Sequence, residues 1–285
     1  MDILQELATL NPLDDRAFKI LLSDPEQFIA LSEAFLEKSF DEDKIIAING
    51  EIVLSVKGRL VRLDSLHDTD VGYVNMEGQI DALQFPFKRH VFYGSFVYVN
   101  GIQKSENWDK LKPAISIVIY KDKGDDGVIE TATLSGSLVK SDEDKNQLQL
   151  MAVNAKKWED VDSEVLRIYL STLYHGIMTE DNKDKFVGVN TDAYIFEKFQ
   201  RSVKLACALT KQQEYSEKGD DFMAAQYATF LSEEERIAAR EEGRAQAFDI
   251  VSEIIGLLKS NVPVLEISNR CKVSIHDVEK LRIIL

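Results

Sequence analysis

The chain has 285 residues, of which 45% are hydrophobic and 29% are charged, enough apolar material for one large or two ordinary folded domains. This composition excludes a wholly disordered chain, and no apolar run approaches the roughly 18 residues of a membrane span. The formal net charge is -15, from 49 acidic against 34 basic residues, and a field of that sign repels phosphate backbones. Any nucleic-acid function therefore needs a local basic patch or bound metal ions.

The first residues and the cysteines narrow the class of protein further. The acidic start, MDILQELATLNPLDDR, lacks the basic-then-apolar pattern of a signal peptide, so we expect a cytoplasmic protein with no membrane attachment. Cys207 and Cys271 are the two cysteines, and neither has a neighbour at metal-ligand spacing. We expect both to be core thiols, which argues against a disulfide scaffold and a structural zinc site.

The first half of the chain predicts helices followed by a β meander. Residues 14–38 have apolar side chains at helical spacing, and Pro25 divides the segment into two shorter helices. Short β-rich pieces separated by turn residues then predict antiparallel strands at Ile45–Ile48, Ile52–Val56, Leu60–Leu66 and Tyr73–Ile80. The stretch Phe85–Ile102 predicts a helix, and the continuous apolar run Pro113–Tyr120 predicts a strand buried on both faces.

The second half predicts two more strands and then mainly helices. The strands are expected at Ile129–Leu134 and Leu148–Val153, and the helices at Val165–Tyr174 and Ala193–Leu209. A capping box at Ser232–Glu235 predicts the start of a long helix that Asn261–Pro263 ends, with two short helices behind it. We therefore expect a core at 1–160, a helical extension at 161–231, and a long helix plus a small helical pair at 232–285.

The segment 59–79 carries the most informative polar pattern. As a β-hairpin, it places Asp64 on the same face as Glu77 and Gln79, because alternate side chains of a strand share a face. Two carboxylates on neighbouring strands can hold a hard divalent cation such as Mg²⁺, which prefers oxygen ligands and keeps several waters. A solvated polar face of an ordinary hairpin is the competing interpretation, and spacing alone leaves both open.

Several segments, taken in order, resemble the recombination-promoting nuclease (Rpn) group, transposase-like members of the PD-(D/E)XK nuclease superfamily. The resemblance covers most of the chain but is loose from about 125 to 230. No single motif is specific, and the specificity comes from the order and spacing of the motifs together. It is carried by DRAFK (15–19), VRLD (61–64), VNMEGQ (74–79), KRHVFY (88–93), WDKLKPAISIVI (108–119), EEGRAQAF (241–248) and VLEISNRCKVSIHDVEKL (264–281).

This resemblance implies an α/β fold with a restriction-endonuclease-like mixed-sheet core and a C-terminal helical region. It implies that Asp64 and Glu77 bind Mg²⁺, or Mn²⁺ in its place, with Asp15 as an outer acidic residue. Gln79 would stand where most of the superfamily has lysine, and it can only hydrogen-bond the attacking water. The implied reaction is hydrolysis of a DNA phosphodiester in recombination, mobile-element biology or phage defence.

Two further features bear on this hypothesis. Residues 80–123 hold seven basic against four acidic residues, and Lys88 and Arg89 are the best candidates for DNA phosphate contacts. Gly78 and Ser65 depart from the group's usual residues, and a glycine weakens a strand.

A different class of function stays open, a catalytically inactive nuclease-fold protein that works through its C-terminal helices. Basic and acidic residues nearly balance in 264–285, which favours protein interaction or homodimer formation over DNA recognition by these helices. No serine-hydrolase, P-loop or dinucleotide motif occurs, and the four histidines lack metal spacing, so we expect a surface or packing role for His90.

Overall fold

The computed structural model describes residues 2–47, 63–80, 86–100, 111–124, 127–133, 147–260, 262–274, 278 and 281–282. The chain divides into two compact units, Met1–Tyr227 and Ala228–Leu285. Among the described residues, the first unit forms a mixed sheet of six strands with helices, which confirms the expected α/β class.

Three helices open the first unit, and their limits follow from local capping. They are α1 (Ile3–Leu7), α2 (Asp15–Ser23) and α3 (Pro25–Leu36). Asp14 caps α2 by accepting the Arg16 amide, and Asp24 caps α3 by accepting the Glu26 amide at 3.0 Å. Pro25 occupies the first turn of α3, where its missing N–H costs nothing, so the predicted division of this segment is confirmed.

The sheet has parallel strands in its centre and antiparallel pairs towards its edges. Its strands are β1 (Ile46–Ala47), β2 (Ser65–Thr69), β3 (Gly72–Gln79), β4 (Ala114–Tyr120), β5 (Ile129–Thr133) and β6 (Leu148–Asn154), in the order β1-β2-β3-β4-β6-β5. β3, β4 and β6 run parallel, whereas the pairs β1–β2, β2–β3 and β5–β6 are antiparallel. Every residue of β4 is buried, as its apolar run predicts, while the predicted strand Ile52–Val56 lies outside the described residues.

The β2–β3 hairpin begins later than the sequence predicts. Its first register pair is Ser65 with Met76, so Asp64 lies at a bend immediately before β2. Leu63 and Leu66 pack in the same apolar cluster although they are three residues apart. The regular two-residue alternation of the strand therefore begins at Ser65, and Asp64 lies outside it.

Helices cover both faces of the sheet. The helix α4 (Pro86–Asn100) packs on β3, β4 and β6, and a Cβ on its Gly94 would lie 2.5 Å from Leu150 Cδ2 and 3.5 Å from Ser116 Cβ. A larger residue would therefore hold α4 away from this face. On the other face, Phe18 of α2 packs over Gly78 of β3.

Further helices of the first unit follow β6. A 3₁₀ segment, Ala155–Asp160, leads to α5 (Glu164–His175), and Lys183–Phe186 leads to α6 (Tyr194–Glu217). Ser163 caps α5 by accepting the Leu166 amide at 3.3 Å. α6 packs against α2 and α5, so it forms part of the first unit's core.

The long helix near the C-terminus begins earlier than its capping box predicts. α7 spans Asp221–Lys259, and the Ser232 hydroxyl lies inside it, donating to the Ala228 carbonyl at 3.0 Å. A hydroxyl can cap a helix or bond back to the preceding turn, and here it does the latter. The prediction that the helix starts at Ser232 is therefore wrong, whereas its predicted end before Asn261–Pro263 is confirmed.

The second unit has a small apolar core of its own. Ile254 of α7, Ile267 of α8 (Val264–Cys271) and the downstream Val278 are buried together. Across the described ranges of both units, no helix combines the length and apolar composition that a bilayer span requires.

Candidate metal centre

Asp64 and Glu77 are bound to each other through the main chain. The Asp64 amide donates to Glu77 Oε1 at 3.1 Å, and the Gly78 amide donates to Asp64 Oδ2 at 3.0 Å. The Asp64 side chain is 6% exposed and Glu77 is 2% exposed. The structure therefore brings together the two predicted metal ligands, each with one oxygen oriented by a backbone N–H.

Lys19 connects this pair to Asp15. Its ammonium lies 3.5 Å from Asp64 Oδ1 and 2.9 Å from Asp15 Oδ1. Asp15 and Lys19 are four residues apart on α2 and so lie on one helix face. The Asp15 side chain is 72% exposed and bonds Lys19. Together with burial, its charge and a side-chain hydrogen bond raise the pKa of the Asp64 carboxyl, so Asp15 also acts directly on Asp64.

Burial dominates the electrostatics of Asp64. It raises the pKa of this carboxyl to about 6, although the hydrogen bond from the Gly78 amide and the charge of Lys19 act in the opposite direction. For Lys19, burial lowers the pKa, but the hydrogen bond to Asp15 and the charges of both carboxylates outweigh it and raise the pKa overall. The centre therefore holds a carboxylate that is costly to ionise beside a lysine that stays charged.

Gly78 permits the close packing that brings Lys19 to Asp64. A Cβ at Gly78 would lie 2.9 Å from Phe18 Cδ1 and 3.1 Å from the Leu13 carbonyl oxygen. Phe18 directly precedes Lys19 on α2, so the approach of this helix to β3 also sets the position of the ammonium. The structure thus gives a packing reason for the glycine that the sequence marks as a departure.

Gln79 ends β3 two residues after Glu77. It pairs with Tyr120 of β4, and its carbonyl accepts the Lys121 amide at 2.8 Å. By the two-residue period of a strand, its partly buried side chain belongs to the face of Glu77. The structure therefore places Gln79 next to the Asp64–Glu77 pair along the strand, with an uncharged amide as its functional group.

The chemistry of this donor set fits a hard divalent cation. Within the described ranges, no group of three or more histidine, cysteine or acidic side chains could hold a metal ion. Asp64 and Glu77 supply carboxylate oxygens from two positions, and Mg²⁺ is often held by one or two carboxylates with water completing its shell. The residues present therefore fit the group that the sequence predicts, with two protein ligands rather than three.

The predicted DNA-binding residues lie on α4. Lys88 is exposed there, and the side chain of Arg89 lies outside the described residues. His90 is buried, with Nε2 2.9 Å from the Ser116 carbonyl oxygen, and burial lowers its pKa. The expected packing role of His90 is confirmed.

Sequence reasoning assigned no role to Lys19, although the DRAFK segment contains it. The available signal was the four-residue spacing of Asp15 and Lys19, which predicts a pair on one helix face. That spacing does not reveal the second contact, with Asp64, because α2 and the β2–β3 hairpin are separate in sequence.

No protein-family model, curated protein or solved structure matches this chain. The case for its function therefore depends on the geometry around Asp64 and Glu77 together with the order of its sequence motifs.

Proposed function

We propose that this chain is a Mg²⁺-dependent DNA endonuclease that hydrolyses phosphodiester bonds, with a PD-(D/E)XK core similar to that of the Rpn group. The observation that carries the proposal is that two nearly buried carboxylates are each held by a backbone amide, Glu77 by that of Asp64 and Asp64 by that of Gly78. Buried carboxylates are costly unless they have a compensating partner, and a bound cation is one such partner. The mixed sheet with helices on both faces supports the same fold class.

Each residue of the centre has a defined part in this proposal. Asp64 and Glu77 would hold the ion, and the hydrogen bonds from the Asp64 and Gly78 amides orient their carboxylates in advance. When bound, the ion supplies positive charge that makes a water more acidic and stabilises charge developing on the phosphoryl oxygens. Gln79 would hydrogen-bond the attacking water through its uncharged amide, and Asp15 positions Lys19 beside Asp64.

The substrate class follows from charge and motif together. The net charge of -15 opposes non-specific association with DNA, so phosphate contacts must come from local basic residues and the ion. Lys88 and Arg89 on α4 are the proposed phosphate contacts. Recombination, mobile-element biology or phage defence is the proposed setting.

The test is cleavage of a supercoiled plasmid by the full chain in the presence of Mg²⁺. We expect Asp64→Asn and Glu77→Gln each to lower the nicking rate about 100-fold or more, and a chelator to abolish nicking by the native chain. The control is Asp41→Asn, which removes the same charge from an exposed pair with Lys44. The proposal would be contradicted if the native chain and the Asp41→Asn control both failed to nick the plasmid. It would also be contradicted if all variants nicked it equally.

A second candidate function is an inactive nuclease-fold protein that acts through its C-terminal helices, as a homodimer or with another protein. It is favoured by the separate apolar core of Ala228–Leu285. It is also favoured by the small number of metal ligands, since the centre offers two carboxylates and, among the described residues, no group of three. Calorimetry separates the two candidates, because an inactive protein shows no Mg²⁺ or Mn²⁺ binding that depends on Asp64 and Glu77.

A further inference from the structure

The two oxygens of Asp64 have different partners. Oδ2 accepts the Gly78 amide at 3.0 Å, and Oδ1 faces the Lys19 ammonium at 3.5 Å. The Asp64 side chain is 6% exposed, so its charge is largely removed from water and is compensated by the ammonium. Lys19 thus already provides a cation at the carboxylate that the proposed function assigns to Mg²⁺.

A divalent ion and the ammonium therefore need the same oxygen. Mg²⁺ sits about 2.1 Å from its oxygen ligands, and at Oδ1 it would lie within a few ångströms of the ammonium. Like charges at such separations repel strongly where little water screens them. Binding of Mg²⁺ and of the Lys19 ammonium to Oδ1 at the same time is therefore unfavourable, and one of them must move away.

The Lys19 ammonium has a second partner, Asp15, that it can keep when it moves away from Asp64. Asp15 Oδ1 lies 2.9 Å from the ammonium on the same helix face, and the Asp15 side chain is 72% exposed. The ammonium can leave Asp64 while keeping this contact, because a lysine side chain has several rotatable bonds. Displacement then requires a rotation of one side chain and no movement of α2.

We infer that Lys19 is a positioning residue of the metal centre, the resident counter-ion of Asp64, which a divalent cation displaces towards Asp15. Lys19 therefore lowers the affinity of the centre for the ion and keeps the buried carboxylate paired when no ion is bound. This inference rests on the proposed function, since it assigns Asp64 as a metal ligand.

The test is isothermal calorimetry of the full chain with Mg²⁺ and separately with Mn²⁺. We expect Lys19→Met to bind each ion about tenfold more tightly or better, because the competing charge is gone. Lys19→Gln should show the same direction, and Lys19→Arg should stay near the native affinity. The control is Lys183→Met, which removes a lysine from an exposed pair with Glu180 and should leave the affinity unchanged.

The direction of the change separates this role from a structural one, because a variant that damaged the centre would bind the ion more weakly. Unchanged or weaker binding in folded Lys19→Met and Lys19→Gln, with binding by the native chain, would overturn the inference and leave the metal centre intact. Absence of binding in the native chain and in every variant would overturn both the inference and the proposed function. The inference places the competition between Lys19 and the ion at Asp64. It would therefore also be overturned if the tenfold gain in ion affinity persisted in the Lys19→Met, Asp64→Asn double variant.

Discussion

Asp64 and Glu77 fix each other's position through two hydrogen bonds that cross the start of the hairpin. The amide of Asp64 donates to the Glu77 carboxylate, and the amide that follows Glu77 donates to the Asp64 carboxylate. The Glu77 side chain is thus oriented by the main chain of Asp64, and the Asp64 side chain by the main chain of Gly78, the residue after Glu77. These two hydrogen bonds mean that the bend before β2 and the end of β3 form one structural element.

Replacing Asp64 with asparagine should stabilise the first unit at neutral pH in the absence of divalent ions. The pKa of Asp64 is raised from an ordinary 3.8 to about 6, chiefly by burial, so its ionised form costs up to roughly 3 kcal/mol. The asparagine side chain in Asp64→Asn would keep an acceptor for the Gly78 amide without that charge. We expect the free energy of unfolding to rise by about 1–3 kcal/mol at pH 7.5, measured by urea denaturation.

The stability gained by this variant should depend on pH in a definite direction. Between about pH 4 and 6 the native chain binds more protons at Asp64 than the unfolded chain, so this carboxyl favours folding as the pH falls. The advantage of Asp64→Asn should therefore shrink towards pH 4. Asp41→Asn, at an exposed carboxyl paired with Lys44, should give no gain at pH 7.5. A destabilised Asp64→Asn at pH 7.5 would show that burial of the charge is not the dominant effect.

His67 should make the first unit sensitive to acid. Its ring stacks on Phe28 with centroids 3.6 Å apart, Nδ1 lies 3.0 Å from Ser65 Oγ, and its buried Nε2 has no hydrogen-bond partner among the described residues. Burial lowers its pKa to about 4. From about pH 6.5 down to 4 the unfolded chain binds more protons at this site, so stability falls as the pH falls.

The effect of His67 is opposite in sign to that of Asp64, so it is best measured in the Asp64→Asn background. In that background we expect protonation of His67 to lower the free energy of unfolding by roughly 2–3 kcal/mol between pH 7 and 4. Adding His67→Leu should remove most of this decrease. The measurement is urea denaturation across this pH range. Equal acid sensitivity with and without His67 would refute the assignment.

A methyl group at Gly78 should separate α2 from β3. In Gly78→Ala the added Cβ would lie 2.9 Å from Phe18 Cδ1 and 3.1 Å from the Leu13 carbonyl oxygen. Overpacking of this kind costs about 1–3 kcal/mol, and we expect the melting temperature to fall accordingly. The matched control is Gly256→Ala in α7, where a Cβ meets nothing within 4 Å and should stabilise the helix by about 0.5–1 kcal/mol. A Gly78→Ala chain as stable as the native one would mean that α2 adjusts freely.

The second unit should depend on its buried isoleucines. Ile267 is fully buried against Ile254 and Val278, and Ile267→Ala should lower the stability of this unit by about 2–4 kcal/mol. Leu265→Ala on the same helix is the control, because Leu265 is 61% exposed and its loss should change stability by at most about 0.5 kcal/mol. Hydrogen exchange of residues 250–274 measures both. Equal exchange in the two variants would contradict the proposed core.

Light scattering of the same two variants addresses the proposed homodimer. If the C-terminal helices join two copies, Ile267→Ala should shift the mass from that of a dimer to that of a monomer. A native chain that is monomeric across concentrations would remove the homodimer from the proposal and leave the nuclease hypothesis unaffected.

The sequence alone determined the elements whose signals are local. Pro25 divides the helical segment 14–38, and the apolar run Pro113–Tyr120 has the composition of a strand buried on both faces. The sequence also predicted that Asp64 and Glu77 lie on neighbouring strands of one hairpin, because two short β-rich segments flank turn residues. The start of α7 was not, since a hydroxyl followed by acidic residues can cap a helix or lie within one.

Only the tertiary structure decided what surrounds the two carboxylates. The Lys19 ammonium reaches Asp64 because Phe18 packs directly on Gly78, and that approach joins segments with no periodic relation in the chain. Leu63, just before Asp64, packs in the apolar cluster that Leu66 forms with Val97 of α4 and Ala114 of β4. Such contacts depend on the distance between whole elements, which side-chain packing sets and which no local pattern of residues encodes.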